Sequence, residues 1–222
     1  MAARAQGPPP YQLVSHLLYN PESNTQYNVV PGLLAVILTM TMVLMTCLAL
    51  TRERERGTYE NLLAMPATPL EIMIGKITPN IFIGAIQSTI ILLVAKFVFG
   101  VPMIGSLALL ACALLLFIVA NLAVGYTFST IAQNQLQAMQ MSMMFFLPSI
   151  LLSGFMFPFA GMPAWAQYVG EGLPLTHYIR IVRAIMLKGA TMQNLRFDTL
   201  ALAALMLVAM TIAVTRFRRT LD

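Results

Sequence analysis

The chain has 222 residues, of which 59% are hydrophobic and only 9% charged, and its mean hydropathy is +0.78. A soluble domain carries roughly a quarter charged residues, so a soluble globular protein is excluded. The 13 basic residues against 8 acidic ones gather beside apolar stretches, the placement of a positive-inside membrane protein rather than a nucleic-acid surface.

Residues 1–29 are polar and turn-rich, with Pro8-Pro9-Pro10 and Asn20-Pro21-Glu22-Ser23-Asn24. A bilayer core takes about 20 apolar residues as a helix. Five such stretches follow, at about 30–50, 79–99, 106–131, 139–157 and 199–217. Arg52, Arg54, Arg56 and Lys76 follow the first, and Arg216, Arg218 and Arg219 follow the last. An odd number of spans puts both groups on one side, expected to be the cytoplasm, with the N-terminus outside. The connection after the fourth span then lies outside although it carries Arg180, Arg183, Lys188 and Arg196.

That connection has a structural reading. After Pro174, His177, Arg180, Arg183 and Lys188 share one helical face, and Leu175, Tyr178, Ile179, Val182, Ile185 and Met186 cover much of the rest. The pattern predicts a helix in the membrane interface with its basic face toward headgroups. Pro158, Gly161, Pro163 and Gly170 interrupt an apolar stretch that holds Trp165 and Tyr168. Together they predict a re-entrant or surface-lying hairpin.

The spans hold almost no group able to bind or relay an ion. Lys96 is the one ionisable side chain well inside a predicted span, and it lies near an end. A pump driven by ions keeps such groups inside its spans, so the energy source is expected elsewhere. The 51–78 connection begins with Arg52-Glu53-Arg54-Glu55-Arg56, where i,i+3 pairs fit a helix. It continues through Tyr59, Leu62, Leu63 and Met65, breaks at Pro66 and Pro69, and resumes with apolar residues 70–74. A solvated loop has no use for so many apolar residues, whereas a helix pair facing a cytoplasmic partner does.

Other motifs fail or stay open. Gly75-Lys76-Ile77-Thr78 falls short of a phosphate-binding loop because Leu70 stands where Gly is needed and Ile77 where Ser or Thr is needed. Gln137, Gln140, Ser142 and Ser153 could line a pathway or could join helices by hydrogen bonds. Met139, Met141, Met143, Met144, Met156 and Met162 read as pliable apolar filler rather than copper ligands. His16 and His177 stand isolated in sequence, and Cys47 and Cys112 lie in apolar runs without a C-x-x-C pair. No metal, cofactor or catalytic group is expected, since H-E-x-x-H, G-x-S-x-G and an intramembrane aspartate pair are all missing.

Several segments in order resemble one family. Arg54-Glu55-Arg56-Gly57-Thr58, with Glu60, Leu62, Leu63, Pro66, Pro69 and Gly75-Lys76, is similar to the cytoplasmic coupling segment of ABC type-2 exporter permeases. Gln135, Gln137, Ala138, Met139 and Gln140 before Phe145-Phe146-Leu147-Pro148 also match. So do Leu152-Ser153-Gly154-Phe155-Met156-Phe157-Pro158, Met162-Pro163, Pro174-Leu175-Thr176-His177-Tyr178, Arg183 and Leu187-Lys188-Gly189.

The resemblance, which covers the chain from about Tyr19 onward, implies an all-α membrane permease with a cytoplasmic coupling helix and an extracellular re-entrant hairpin. It implies a multi-pass protein of the bacterial cytoplasmic (inner) membrane, not itself an enzyme. Arg54, Glu55, Arg56, Gly57, Thr58, Glu60, Leu62 and Leu63 would dock on a separate cytoplasmic ATPase. The permease would pair as a homodimer or heterodimer and export drug-like hydrophobic or amphipathic molecules, in some relatives beside a periplasmic adaptor. Relatives have six spans and a large extracellular domain after the first. Residues 1–29 are therefore expected to be the remnant of that domain, and 30–222 the permease domain. Two readings from other classes stand beside this one: an ion-coupled carrier or channel, and a non-transporting membrane scaffold.

Overall fold

The computed structural model describes residues 25–57 and 69–219. Those residues form α1 (Thr25–Glu55), α2 (Pro69–Phe97), α3 (Leu107–Ile131), α4 (Gln135–Leu152), a 3₁₀ turn (Phe159–Gly161), α5 (Ala164–Glu171), α6 (Pro174–Lys188) and α7 (Met192–Arg219). No strand occurs among the described residues. The fold is an all-α membrane bundle.

Within α1, α2, α3 and α7, residues Val29–Glu55, Ile74–Phe97, Leu107–Ile131 and Met192–Arg216 are long and apolar enough to cross a bilayer. α4 stands apart from these four. It is 18 residues long, about 27 Å at 1.5 Å per residue, and its first two turns carry Gln135, Gln137 and Gln140. The helix at the place of the fourth span expected at 139–157 starts at Gln135 and stops at Leu152, where Ser153 caps it, and it is not among the four long and apolar enough to cross. Gly154 follows with φ +80°, a left-handed conformation that glycine adopts freely and other residues resist.

Other boundaries also move. Residues 70–74 form no separate helix, because α2 runs unbroken from Pro69 through Pro79 to Phe97. α7 begins at Met192 rather than Thr199, which puts Asp198 two turns inside the helix. Thr58, Glu60, Leu62 and Leu63 lie outside the described residues, as does His16.

The inner helices are α1 and α3, which pack on each other, while α3 also packs along α7. Small residues let them approach. A Cβ added at Gly125 of α3 would meet the Val43 carbonyl oxygen of α1 at 2.7 Å. Leu34, Leu38 and Met42 of α1 and Phe117, Ile118 and Leu122 of α3 are among the largest fully buried side chains. The outer helices leave Phe82, Ile86, Ile90 and Phe97 of α2 and Leu200, Leu207 and Val208 of α7 exposed, as a lipid-facing surface requires.

The helix expected to lie flat at the interface is sunk into the bundle. α6 packs against α1, α3 and α7. Leu175, Tyr178, Ile179, Ile181, Val182, Ile185 and Met186 are all buried, and Tyr178 stacks on Phe117 with centroids 4.0 Å apart. Pro174 opens α6 and Gly189, at φ +61°, closes it. Apolar residues on nearly every side of the polar face explain the depth, since a surface helix could bury only half of them. Loop residues clasp its end: Ile104 N–H donates to the Met186 carbonyl at 3.2 Å.

Candidate functional site

Two charged junctions lie at opposite ends of the bundle. The first is built on the last turn of α1. Glu53 forms an ion pair with Lys76 in α2. Arg54 donates from Nη1 to the carbonyl of Ala132, the residue that caps α3, at 3.1 Å. Glu55 accepts from the Gln135 backbone N–H at 2.7 Å and also from its side-chain amide. That carboxylate sits on the first residue of α4, where unpaired N–H groups and the helix dipole favour negative charge. Asn134 caps the same helix, its Oδ1 accepting from Gln137 N–H at 2.8 Å.

The run Arg52–Arg56 is thus a joint, although Arg52, Glu55 and Arg56 remain exposed. Three consecutive side chains tie α1 to the start of α2, the end of α3 and the start of α4. Arg56 and Gly57 lie just beyond the helix, and Gly57 turns with φ +70°. This end of α1 is where the chain leaves toward residues 58–68.

The second junction joins α5, α6 and α7. His177, only 2% exposed, has Nδ1 at 2.9 Å from Asp198 Oδ1 and Nε2 at 2.9 Å from the Glu171 carbonyl oxygen. Arg180 donates to Glu171 Oε1 at 2.6 Å and to Asp198 Oδ1 at 3.4 Å. Its guanidinium lies 4.4 Å from the Phe159 ring centroid, a cation–π contact that holds the 3₁₀ turn against α6. Burial lowers the basicity of His177, but hydrogen bonds to Asp198 and Glu171 and the charges of both carboxylates outweigh it, so its pKa lies above the ordinary 6.5. Arg183 turns the other way and donates to the Gly154 carbonyl at 3.1 Å; burial lowers its pKa. Lys188 lies in the last turn of α6, where the helix dipole favours a cation.

His177 is therefore neither isolated nor turned toward headgroups. Its acidic partners come from two other helices, six and 21 residues away. A signal in the sequence points to one of them: Asp198 adjoins an apolar stretch, and an ionisable group there needs a partner. Pro158 and Pro163 line a separate pocket of about 420 Å³ with Leu152, Phe157 and Trp165.

The polar residues of α4 do not converge. Gln137 Oε1 accepts from Gln133 N–H at 2.8 Å, closing the turn before the helix. Gln140 is exposed. Ser142 and Ser153 are buried, and their hydroxyls donate to the Ala138 carbonyl at 2.8 Å and the Ile150 carbonyl at 3.3 Å. A cavity of about 620 Å³ lies instead between α2 and α3, lined by Ser88, Leu92, Met103, Leu110 and Leu114, with Lys96 among its lining residues.

A helical bundle with four helices long and apolar enough to cross a bilayer, a charged joint at one end and a buried helix at the other is a membrane protein domain. The chain belongs to the ABC-2 type transporter family, whose pattern matches residues 11–187. It is 35% identical over 181 residues to the probable multidrug ABC transporter permease YbhR of Escherichia coli K12, covering 82% of this chain and 49% of that protein. The probable multidrug ABC transporter permease YbhS of the same strain is 34% identical over 205 residues, 92% of this chain and 54% of its own length. The inner membrane transport permease YhhJ, also of that strain, is 33% identical over 221 residues, 98% of this chain and 59% of its own. The chain spans about half the length of the curated relatives it matches.

Proposed function

We propose that this chain is the membrane-spanning permease part of an ATP-driven exporter, powered by a separate cytoplasmic ABC ATPase subunit. The observation that carries this reading is the joint at the end of α1. A push delivered at Arg56, Gly57, Thr58, Glu60, Leu62 and Leu63 would reach α2, α3 and α4 together through Glu53, Arg54 and Glu55. Arg54 and Glu55 are therefore transmitting groups, and docking falls on the residues that follow. Such a push biases the bundle between states according to its differential contacts with each.

In this reading α1 ends in the cytoplasm, the C-terminus lies on the same side and the N-terminus outside, in a bacterial inner membrane. Two permeases, identical or not, form the translocating unit, and the α5–α6 hairpin faces the periplasm, where an adaptor protein could seat. The apolar cavity between α2 and α3 supports hydrophobic or amphipathic, drug-like cargo. Ion coupling is less favoured because α3 and α4 carry no Asp, Glu, Lys, Arg or His, so no relay continues inward from His177 through them. Co-purification tests the proposal: the chain, expressed beside its ATPase, should retain that subunit, and Glu60→Lys should release it. Purification without any nucleotide-dependent partner would contradict it.

A further inference from the structure

The acceptor geometry around His177 points to more than a static ion pair. We propose that His177 is a proton-carrying positioning residue: as an imidazolium it clamps α6 to α5 and α7, and loss of its proton loosens that clamp. The re-entrant hairpin is therefore sensitive to the pH at its end of the bundle. This inference rests on side-chain geometry and stands whether or not the ATPase reading holds.

Both ring nitrogens face acceptors. Nδ1 meets a carboxylate oxygen of Asp198 at 2.9 Å, and Nε2 meets the Glu171 carbonyl oxygen at 2.9 Å with Glu171 Oε2 at 3.5 Å. A neutral imidazole has one N–H, so either tautomer would set a ring lone pair against an oxygen lone pair. A carbonyl oxygen cannot supply the missing proton. Protonating Asp198 instead would free the ring, but Arg180 Nη1 lies 3.4 Å from the same Oδ1 and favours the carboxylate. With Asp198 held as a carboxylate by Arg180, the imidazolium is the ring state that satisfies every contact.

Charge balance agrees. Glu171, Asp198 and Arg180 sum to −1, and the imidazolium brings the cluster to zero. The other packed elements offer no substitute. α3 and α4 carry no acidic or basic side chain, and the charged residues of α1 lie at the opposite joint. Arg183 is turned to Gly154, Arg196 is exposed, and Lys188 sits at the far end of α6. At 2% exposure, His177 has little access to water that could replace a lost contact.

The sign of the pH effect follows. A histidine pKa raised by folding contributes stability that is full below about 6.5 and is lost as pH rises through the higher folded value. Deprotonation should weaken the links from α6 to Asp198 and Glu171 while leaving Arg180 in place.

The chain contains two histidines, which makes a direct test available. In the full chain with His16→Gln, labelled with ¹⁵N-histidine and held in lipid nanodiscs, ring-nitrogen NMR reads His177 alone. The expected result is a ring more than half doubly protonated at pH 6.5, titrating above that ordinary value. A neutral single tautomer at that pH overturns the proposal. As a second readout, the unfolding midpoint should fall with pH through one histidine-like step in the parent and lose that step in His177→Gln. Parallel profiles for the two would also overturn it.

Discussion

The two junctions use the same chemistry in different surroundings. At the end of α1, Glu53, Arg54 and Glu55 lie where side chains are partly or wholly open, and the Glu53–Lys76 pair is 37% and 21% exposed. At the other end Arg180 and Glu171 are also 32% and 38% exposed, but His177 at their centre is 2% exposed, held between α5, α6 and α7. Solvent weakens an ion pair and also makes it cheap to break; burial strengthens the pair and leaves a large penalty when one partner is removed. The contrast makes the α1 joint a soft connection that can be rearranged, and the His177 cluster a clamp that fixes the re-entrant hairpin.

The sharpest way to break this contrast is Asp198→Ala. It leaves Arg180 and the buried His177 without their shared carboxylate, and should lower unfolding stability by more than the about 1 kcal/mol of an exposed pair. Denaturant or thermal unfolding in detergent measures it. A loss no larger than that of a surface pair would erase the distinction between the two ends.

Gly125→Val asks whether the inner helices are as close as they look. The added Cβ would stand 2.7 Å from the Val43 carbonyl and 3.0 Å from Thr46 Cβ. Overpacking of this kind costs about 1–3 kcal/mol, read in the same unfolding assay. Lys76→Ala is the soft counterpart. It should cost no more than about 1 kcal/mol, yet lower the cargo moved per ATP hydrolysed if the proposed ATPase drives the chain. Glu55→Lys should leave the fold intact and uncouple hydrolysis from export in vesicles, because it places a cation against the start of α4. If both variants export at the parent rate, the joint transmits nothing.

The sequence revealed these two regions unequally. The spans in α1, α2, α3 and α7 announce themselves because hydropathy over a helix length is a local property. The end of α1 was visible as a charged helix, but its partners were not: Glu53 and Glu55 pair with Lys76 and Gln135 rather than with the arginines three residues along. Glu53, Arg54 and Glu55 reach Lys76, Ala132 and Gln135, 23, 78 and 80 residues away, and no periodicity encodes contacts at that range. α6 was legible as an amphipathic helix with a basic face, and that pattern resembles a surface helix until Asp198 and Glu171 are seen against it. Its depth is set by what packs around it, including the Phe117 ring on Tyr178. α4 blurred for the opposite reason: Gln135, Gln137 and Gln140 dilute its hydropathy, and a glycine turn at Gly154 ends it before the apolar sequence stops.

The most direct test of the account is cargo flux in proteoliposomes holding this chain and the proposed ATPase. Flux of a hydrophobic reporter should require ATP, vanish when the ATPase is omitted, and drop in Glu55→Lys while hydrolysis continues. Flux driven by an imposed proton or sodium gradient, with nucleotide absent and the ATPase removed, would contradict it.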